Sequence, residues 1–261
     1  DGKPKVFTVD VMLLALHTPL MHVITDERCL AYSQPGHPER PQRVAGTLAL
    51  LREQQEIKIT WEKPKPPKDD KAIGRAHDLA HIHIIENPLG PLDGDTPDYP
   101  DIDAHARRSI GGALRALELA RAGKPNFSLM RPPGHHATRE RAMGFCYFNN
   151  IAITTLAARA TGIKKVAVFD FDVHHGNGTE DILRKVDGTA FFSIHQHPAY
   201  PGTGSKSIDN CHNYPVPPDS PNATWRKAAT KALGELKKFD PDLICVSAGF
   251  DAYKRDPLCQ Q

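Results

Sequence analysis

"VAVFDFDVHHGNG" occupies residues 166–178, and its reading decides what kind of protein this is. The apolar run Val166–Phe169 predicts a buried strand, extending to Asp172, that ends in acids, imidazoles and glycines. On a strand, alternate side chains share a face, so Asp170, Asp172 and His174 are expected to point one way. Phe171 and Val173 then point into apolar packing. Two carboxylates and an imidazole on one buried face are costly without a counter-charge, and a divalent metal ion supplies one. The competing reading is a strand edge dipping into water. It fits less well, because apolar residues flank the acids on both sides.

Three other short β-rich runs resemble this one: Phe127–Arg131, Ala190–His195 and Leu243–Ala248. Helices are expected between them at 104–122, 147–161 and 223–238. Strands alternating with helices predict an α/β fold, a mostly parallel sheet covered on both faces. Ligands in such folds sit at the carboxyl ends of the strands. There the chain places "RPPGHHA" (131–137), "DFDVHH" (170–175), "SIHQH" (193–197) and "SAGFD" (247–251). The Pro-Pro-Gly turn before His135 and His136 cannot be helical, so a loop aims the two rings.

The bulk numbers exclude several classes. A net charge of +2 on 261 residues gives no electrostatic footprint for nucleic acid. The longest apolar run, Val11–Leu16, is far too short to span a bilayer. The five cysteines are odd in number and form no C-x-x-C pair. That points to a reduced, intracellular setting, cytoplasmic or, in a eukaryote, nuclear. No boundary divides the chain, so a single domain over 1–261 is expected. The Pro-rich "KPKPPKDDK" (63–71) is read as a solvated loop.

A catalytic zinc usually takes three protein ligands and leaves a position open. Asp172 and His174 give two. Asp251, ending a neighbouring strand, is the best-placed third, although Asp after Gly-Phe is also a common helix cap. Asp170 is suited to holding an imidazole from behind the metal.

"GHPERPQR" (36–43), "DGDTP" (93–97), "RPPGHHA", "GFCYFNN" (144–150), "DFDVHHGNGT", "SIHQHPAYPGTG" (193–204) and "SAGFDA" (247–252) together resemble the successive motifs of the histone deacetylase superfamily. That superfamily includes class II histone deacetylases, bacterial histone deacetylase-like amidohydrolases and acetylpolyamine amidohydrolases. The likeness runs from about residue 36 to the end.

The resemblance implies a three-layer arginase/deacetylase-like fold and zinc-dependent hydrolysis of acetyl-lysine-type amides. It implies zinc, with iron(II) as an allowed substitute, on Asp172, His174 and Asp251. His135 and His136 become the active-site pair, with His136 as general base, and Asp170 and Asn177 as their partners. A structural potassium ion would use carbonyls of Asp170, Asp172, His174 and Ile194 with the Ser193 hydroxyl. Phe145 and Tyr200, with Gly144, would line a tunnel that buries a lysine stem. Leu258 would stand where polyamine-selective members carry an acidic gatekeeper, which leans away from polyamines. Arg40 would line an internal channel beneath the site.

The implied partners are acetylated lysine peptides, proteins or small acylated amines; an oligomer is left open. The family also implies a later Gly-Gly-Tyr segment donating to the substrate carbonyl, and this sequence ends before one, so truncation at the C-terminal side is expected. Without that tyrosine a non-catalytic acyl-lysine binder is the alternative, and acetylpolyamine hydrolysis a further one. An arginase-type dimanganese site wants Asp-x-His-x-Asp, which Asp170-x-Asp172-x-His174 is not. The aspartates of "PLDGDTPDYPDIDAH" (91–105) are read as a solvated loop before a substrate-attracting rim.

Overall fold

The computed structural model describes residues 20–253 and 256. The expectations for Val11–Leu16 and for Leu258 therefore lie outside the described residues. Strands β1 (Leu20–Ile24), β2 (Lys58–Glu62) and β3 (Asn126–Ser128) form one parallel sheet in the order β2-β1-β3. Strands β4 (Val166–Asp170), β5 (Thr189–Gln196), β6 (Cys211–Val216) and β7 (Leu243–Ser247) form a second parallel sheet in the order β6-β5-β4-β7. The expected parallel α/β pattern holds, but β3 hydrogen-bonds to β1 and joins the first sheet, apart from the strands that carry the acids.

The second sheet builds the site. Val166, Val168 and Phe191 face a core shared with α4 (Asn150–Ala160). The alternate residues Ala167, Ala190, Phe192 and Ile194 face α6 (Asn222–Phe239) through Ala232 and Leu236. Helices thus cover both faces, so Val166–Phe169 of β4 and Ala190–Phe192 of β5 read as apolar runs. Each fully buried Phe or Ile contributes roughly 1.5–3 kcal/mol of transfer free energy.

Two expected boundaries move for local reasons. The helix expected from residue 147 starts at Asn150, because the Asn149 side chain caps it by accepting from the Ala152 N–H at 2.9 Å. The strand expected to run to Asp172 stops at Asp170, and residues 171–176 turn away from the sheet. The Pro-rich loop is largely exposed, as expected, but it touches a helix at one point. A Cβ on Gly111 of α3 (Ile102–Arg121) would stand 2.5 Å from the backbone of Lys65, so helix and loop pack backbone to backbone.

Candidate active site

Asp172, His174 and Asp251 converge although the chain is no longer a strand there. The Asp172 N–H donates to Asp170 Oδ1 at 3.1 Å, and the His174 N–H donates to Asp172 Oδ1 at 2.9 Å. These turns, rather than a pleat, bring the side chains to one point. Asp251 arrives from the end of β7 and accepts from the Val173 N–H at 2.9 Å. His174 Nδ1 then lies 3.1 Å from Asp172 Oδ1 and 3.0 Å from Asp251 Oδ2. One ligand atom from each of the three lies within 4.8 Å of the others. Gly249 is needed beside them, since a Cβ there would stand 2.1 Å from Asp172 Oδ2.

The electrostatics describe a place that wants a cation. Burial opposes charge on His174, but its bonds to Asp172 and Asp251 raise it to about 10. Burial also works against charge on Asp172, yet His135 and His174 hold its carboxyl well below the usual range. Asp251 is pushed up by burial and by the neighbouring Asp172 charge. A proton on His174 Nδ1 between two carboxylates occupies the spot a divalent ion would take.

The paired histidines sit against this group with ring centroids 4.0 Å apart. His135 Nδ1 lies 3.0 Å from Asp170 Oδ2, and His136 Nδ1 lies 2.7 Å from Asn177 Oδ1. Asn177 opens α5 (Asn177–Leu183). The partners differ in charge, and the rings differ accordingly. Burial opposes charge on His135, but the Asp172 and Asp170 carboxylates raise it to about 9. Burial and the neighbouring His135 charge push His136 well below the usual histidine value. Gly144 (φ +57°) lets the chain pass close: a Cβ there would lie 2.5 Å from the His136 ring.

The remaining expected residues are distributed around this centre. The Tyr200 ring stands edge-on to His136 at 5.1 Å and lies 6.3 Å from His174. Phe145 is half-buried in the left-handed conformation (φ 68°). Ser193 and Ile194 are fully buried on β5, with Ser193 opposite Asp170 in the register. Arg40, expected on an interior channel, is exposed. The interior arginine is Arg131, which precedes the Pro-Pro-Gly turn and carries two hydrogen bonds to Glu39. A charged side chain can be buried only with such a partner, and Arg40 lacks one among the described residues. His37, Asp95 and Thr96 also approach the site loop. Their signal was present in "GHPERP" and "DGDTP", but an acidic loop reads as solvated until its hydrogen bonds are seen.

Residues 37–261 match the histone deacetylase domain family. The chain belongs to the histone deacetylase family. It is 40% identical to a probable deacetylase of Methanothermobacter thermautotrophicus, over 88% of this chain and 73% of that one. The crystal structure of the HDA15 HD domain is similar with TM-score 0.84 and 31% identity, covering 92% of this chain and 76% of that one. An acetylpolyamine aminohydrolase from Burkholderia pseudomallei is similar with TM-score 0.81 and 27% identity, covering 92% and 85% of the two chains. The chain spans 63% of the length of a curated relative, a histone deacetylase-like amidohydrolase of Pseudomonas aeruginosa. Family membership brings deacetylase or amidohydrolase activity, the α/β fold with parallel sheets and a metal-dependent site as its general properties.

Proposed function

We propose that the protein is a zinc-dependent hydrolase of acetyl-lysine-type amides, releasing acetate and a free amine. The observation that carries the reading is the unequal histidine pair set against the Asp172–His174–Asp251 cluster. Those three residues would hold the ion; two carboxylates and an imidazole suit zinc and also iron(II). When bound, the ion supplies Lewis acidity toward the amide carbonyl and acidifies water beside it.

The chain's own residues handle the protons. Asn177 Oδ1 can only accept, so His136 carries its proton on Nδ1 and presents Nε2 as a free acceptor. As the neutral ring of the pair, His136 takes the proton of the attacking water and later gives it to the leaving amine. His135, held charged by Asp170 and Asp172, keeps positive charge beside the reacting carbonyl. Tyr200 and Phe145 would flank the methylene stem, which gains by burial between rings.

A potassium ion behind the site would use carbonyls of Asp170, Asp172, His174 and Ile194 with the Ser193 hydroxyl. The hydrogen bonding supports the hydroxyl's part. His195 Nε2 donates to the Gly204 carbonyl at 3.0 Å, so His195 Nδ1 accepts, and Ser193 Oγ donates to it at 2.9 Å. The lone pairs of Ser193 Oγ are then turned to other partners. The four cysteines among the described residues, all buried and free, support a reduced setting.

The test is metal analysis joined to turnover. Full-length protein is stripped by chelation, reloaded with zinc or iron(II), and given an acetyl-lysine peptide and an N-acetylated polyamine in parallel. Acetate release that needs the metal and favours the peptide is expected. Preference for the polyamine would move the assignment to the amine class of the Burkholderia neighbour. Binding without turnover by metal-loaded protein would replace the hydrolase by an acyl-lysine binder.

A further inference from the structure

We propose that Thr96 is a positioning residue that fixes Phe145 and so sets the length of acylated amine the site accepts. The inference rests on the reading of Phe145 as a tunnel wall. Phe145 has φ 68°, a region aromatic L-residues rarely adopt, so partners outside its own turn must hold it there. Its N–H donates to Thr96 Oγ1 at 3.1 Å, and the N–H of Gly144 donates to Asp95 Oδ1 at 3.2 Å. The turn itself is closed by paired backbone bonds between Met143 and Cys146 at 3.1 and 3.0 Å.

Thr96 is a firm anchor. It is fully buried, and its carbonyl accepts from the Leu92 N–H at 2.9 Å. From the other side, the His37 ring meets Phe145 edge-on with centroids 5.1 Å apart, and His37 Nε2 donates to the Asp95 carbonyl at 3.2 Å. The "DGDTP" loop is therefore a clamp on the aromatic turn, more than a solvated acidic patch. A ring fixed in this way defines how many methylenes fit between rim and metal cluster. A ring free to swing would accept shorter stems with less loss.

The experiment compares Thr96→Val with Thr96→Ser in the full-length, metal-loaded protein. The substrates are paired peptides carrying acetyl-lysine or acetyl-ornithine, one methylene shorter. One methylene in an apolar pocket is worth roughly tenfold or more in kcat/KM, and that preference for lysine is expected of the native protein. Thr96→Val should cut it to about threefold or less, mainly through KM, and Thr96→Ser, which keeps the acceptor, should restore it. Hydrogen exchange over residues 143–148 gives a reading independent of turnover, and faster exchange of the Phe145 amide is expected in Thr96→Val alone. Native preference retained by Thr96→Val, or lost equally in Thr96→Ser, overturns the proposal, as does unchanged exchange. If native protein turns over neither peptide, the hydrolase reading fails while the exchange result still decides the clamp. Should Thr96→Val not fold, Asp95→Ala removes the neighbouring acceptor and must weaken the preference in the same direction.

Discussion

Arg131 Nε and Nη2 donate to the two carboxylate oxygens of Glu39, each at 2.5 Å, with both side chains almost fully buried. The guanidinium also lies 4.1 Å from the centre of the Tyr32 ring and donates to the Cys29 carbonyl at 2.8 Å. This pair fastens the "HPER" segment beneath the turn that carries His135 and His136. Removing one member leaves a buried charge without its partner, which costs about 3–5 kcal/mol. Glu39→Ala should lower stability by that amount in chemical denaturation. Arg40→Ala, one position along and exposed, should change it by less than about 0.5 kcal/mol.

Replacing Asn177 by Asp puts a carboxylate on His136 Nδ1 in place of a neutral amide. An adjacent negative charge favours imidazolium and raises the pKa of His136. Because the base must be neutral to act, the acidic limb of the rate profile should move to higher pH. A profile of kcat/KM against pH identical to the native one would show that Asn177 does not govern the base.

Asp172→Ala removes one of three converging ligand atoms and should abolish stoichiometric metal retention after dialysis, read by elemental analysis. Asp251→Ala should do the same despite lying 79 residues later. Asp170→Asn should keep the metal but lower the pKa of His135, separating the ligand set from the carboxylate behind the imidazole.

A methyl group on Gly144 would meet the His136 ring at 2.5 Å and would have to adopt φ +57°. Gly144→Ala should therefore displace the base. A misplacement of about 1 Å can cost on the order of 100-fold in rate, and a fall in kcat of that order is expected with the metal still bound.

Two buried histidines away from the metal cluster should make the fold acid-sensitive. His77 accepts from the Asn149 N–H at 2.9 Å through Nε2 and must be neutral to do so. Burial lowers both His77 and His195 from 6.5 to about 3. With the folded value depressed, the unfolded chain binds the proton first as pH falls. The stability that each contributes is complete above pH 6.5 and is lost between 6.5 and about 3, with a slope of up to about 1.4 kcal/mol per pH unit. Denaturation midpoints measured across that range should flatten in His77→Gln relative to the native chain.

The strands read from sequence are β4 and β5, the most deeply buried, and the half-buried β3 and β7. β4 opens with four apolar residues and β5 holds the run Ala190–Phe192, whereas β2 is half-exposed "KITWE" and β6 contains Pro215, which an edge strand tolerates. β1 was hidden by His22, a polar residue buried against Glu62 at 3.1 Å. Within the site, Asp172, His174 and Asp251 were legible because acids and imidazoles at strand ends are rare and costly. The backbone turns that aim them were not, since a strand and a pair of side-chain-capped turns present the same alternation. The burial of Arg131 was not anticipated, because sequence alone does not say which arginine finds a buried carboxylate.

The bond from the Val173 N–H to Asp251 ties together residues 78 apart, across three strands, two helices and their loops. A contact of that separation forms only after the intervening chain has found its place, because loop closure must be offset by packing before it is rewarded. Of the three candidate ligands, two are delivered by one local turn, and the last waits for β7 to dock beside β4. With these three as the proposed ligands, tight metal uptake would be a late event in the maturation of this fold, and a growing or refolding chain would hold the ion firmly only once its second sheet had closed.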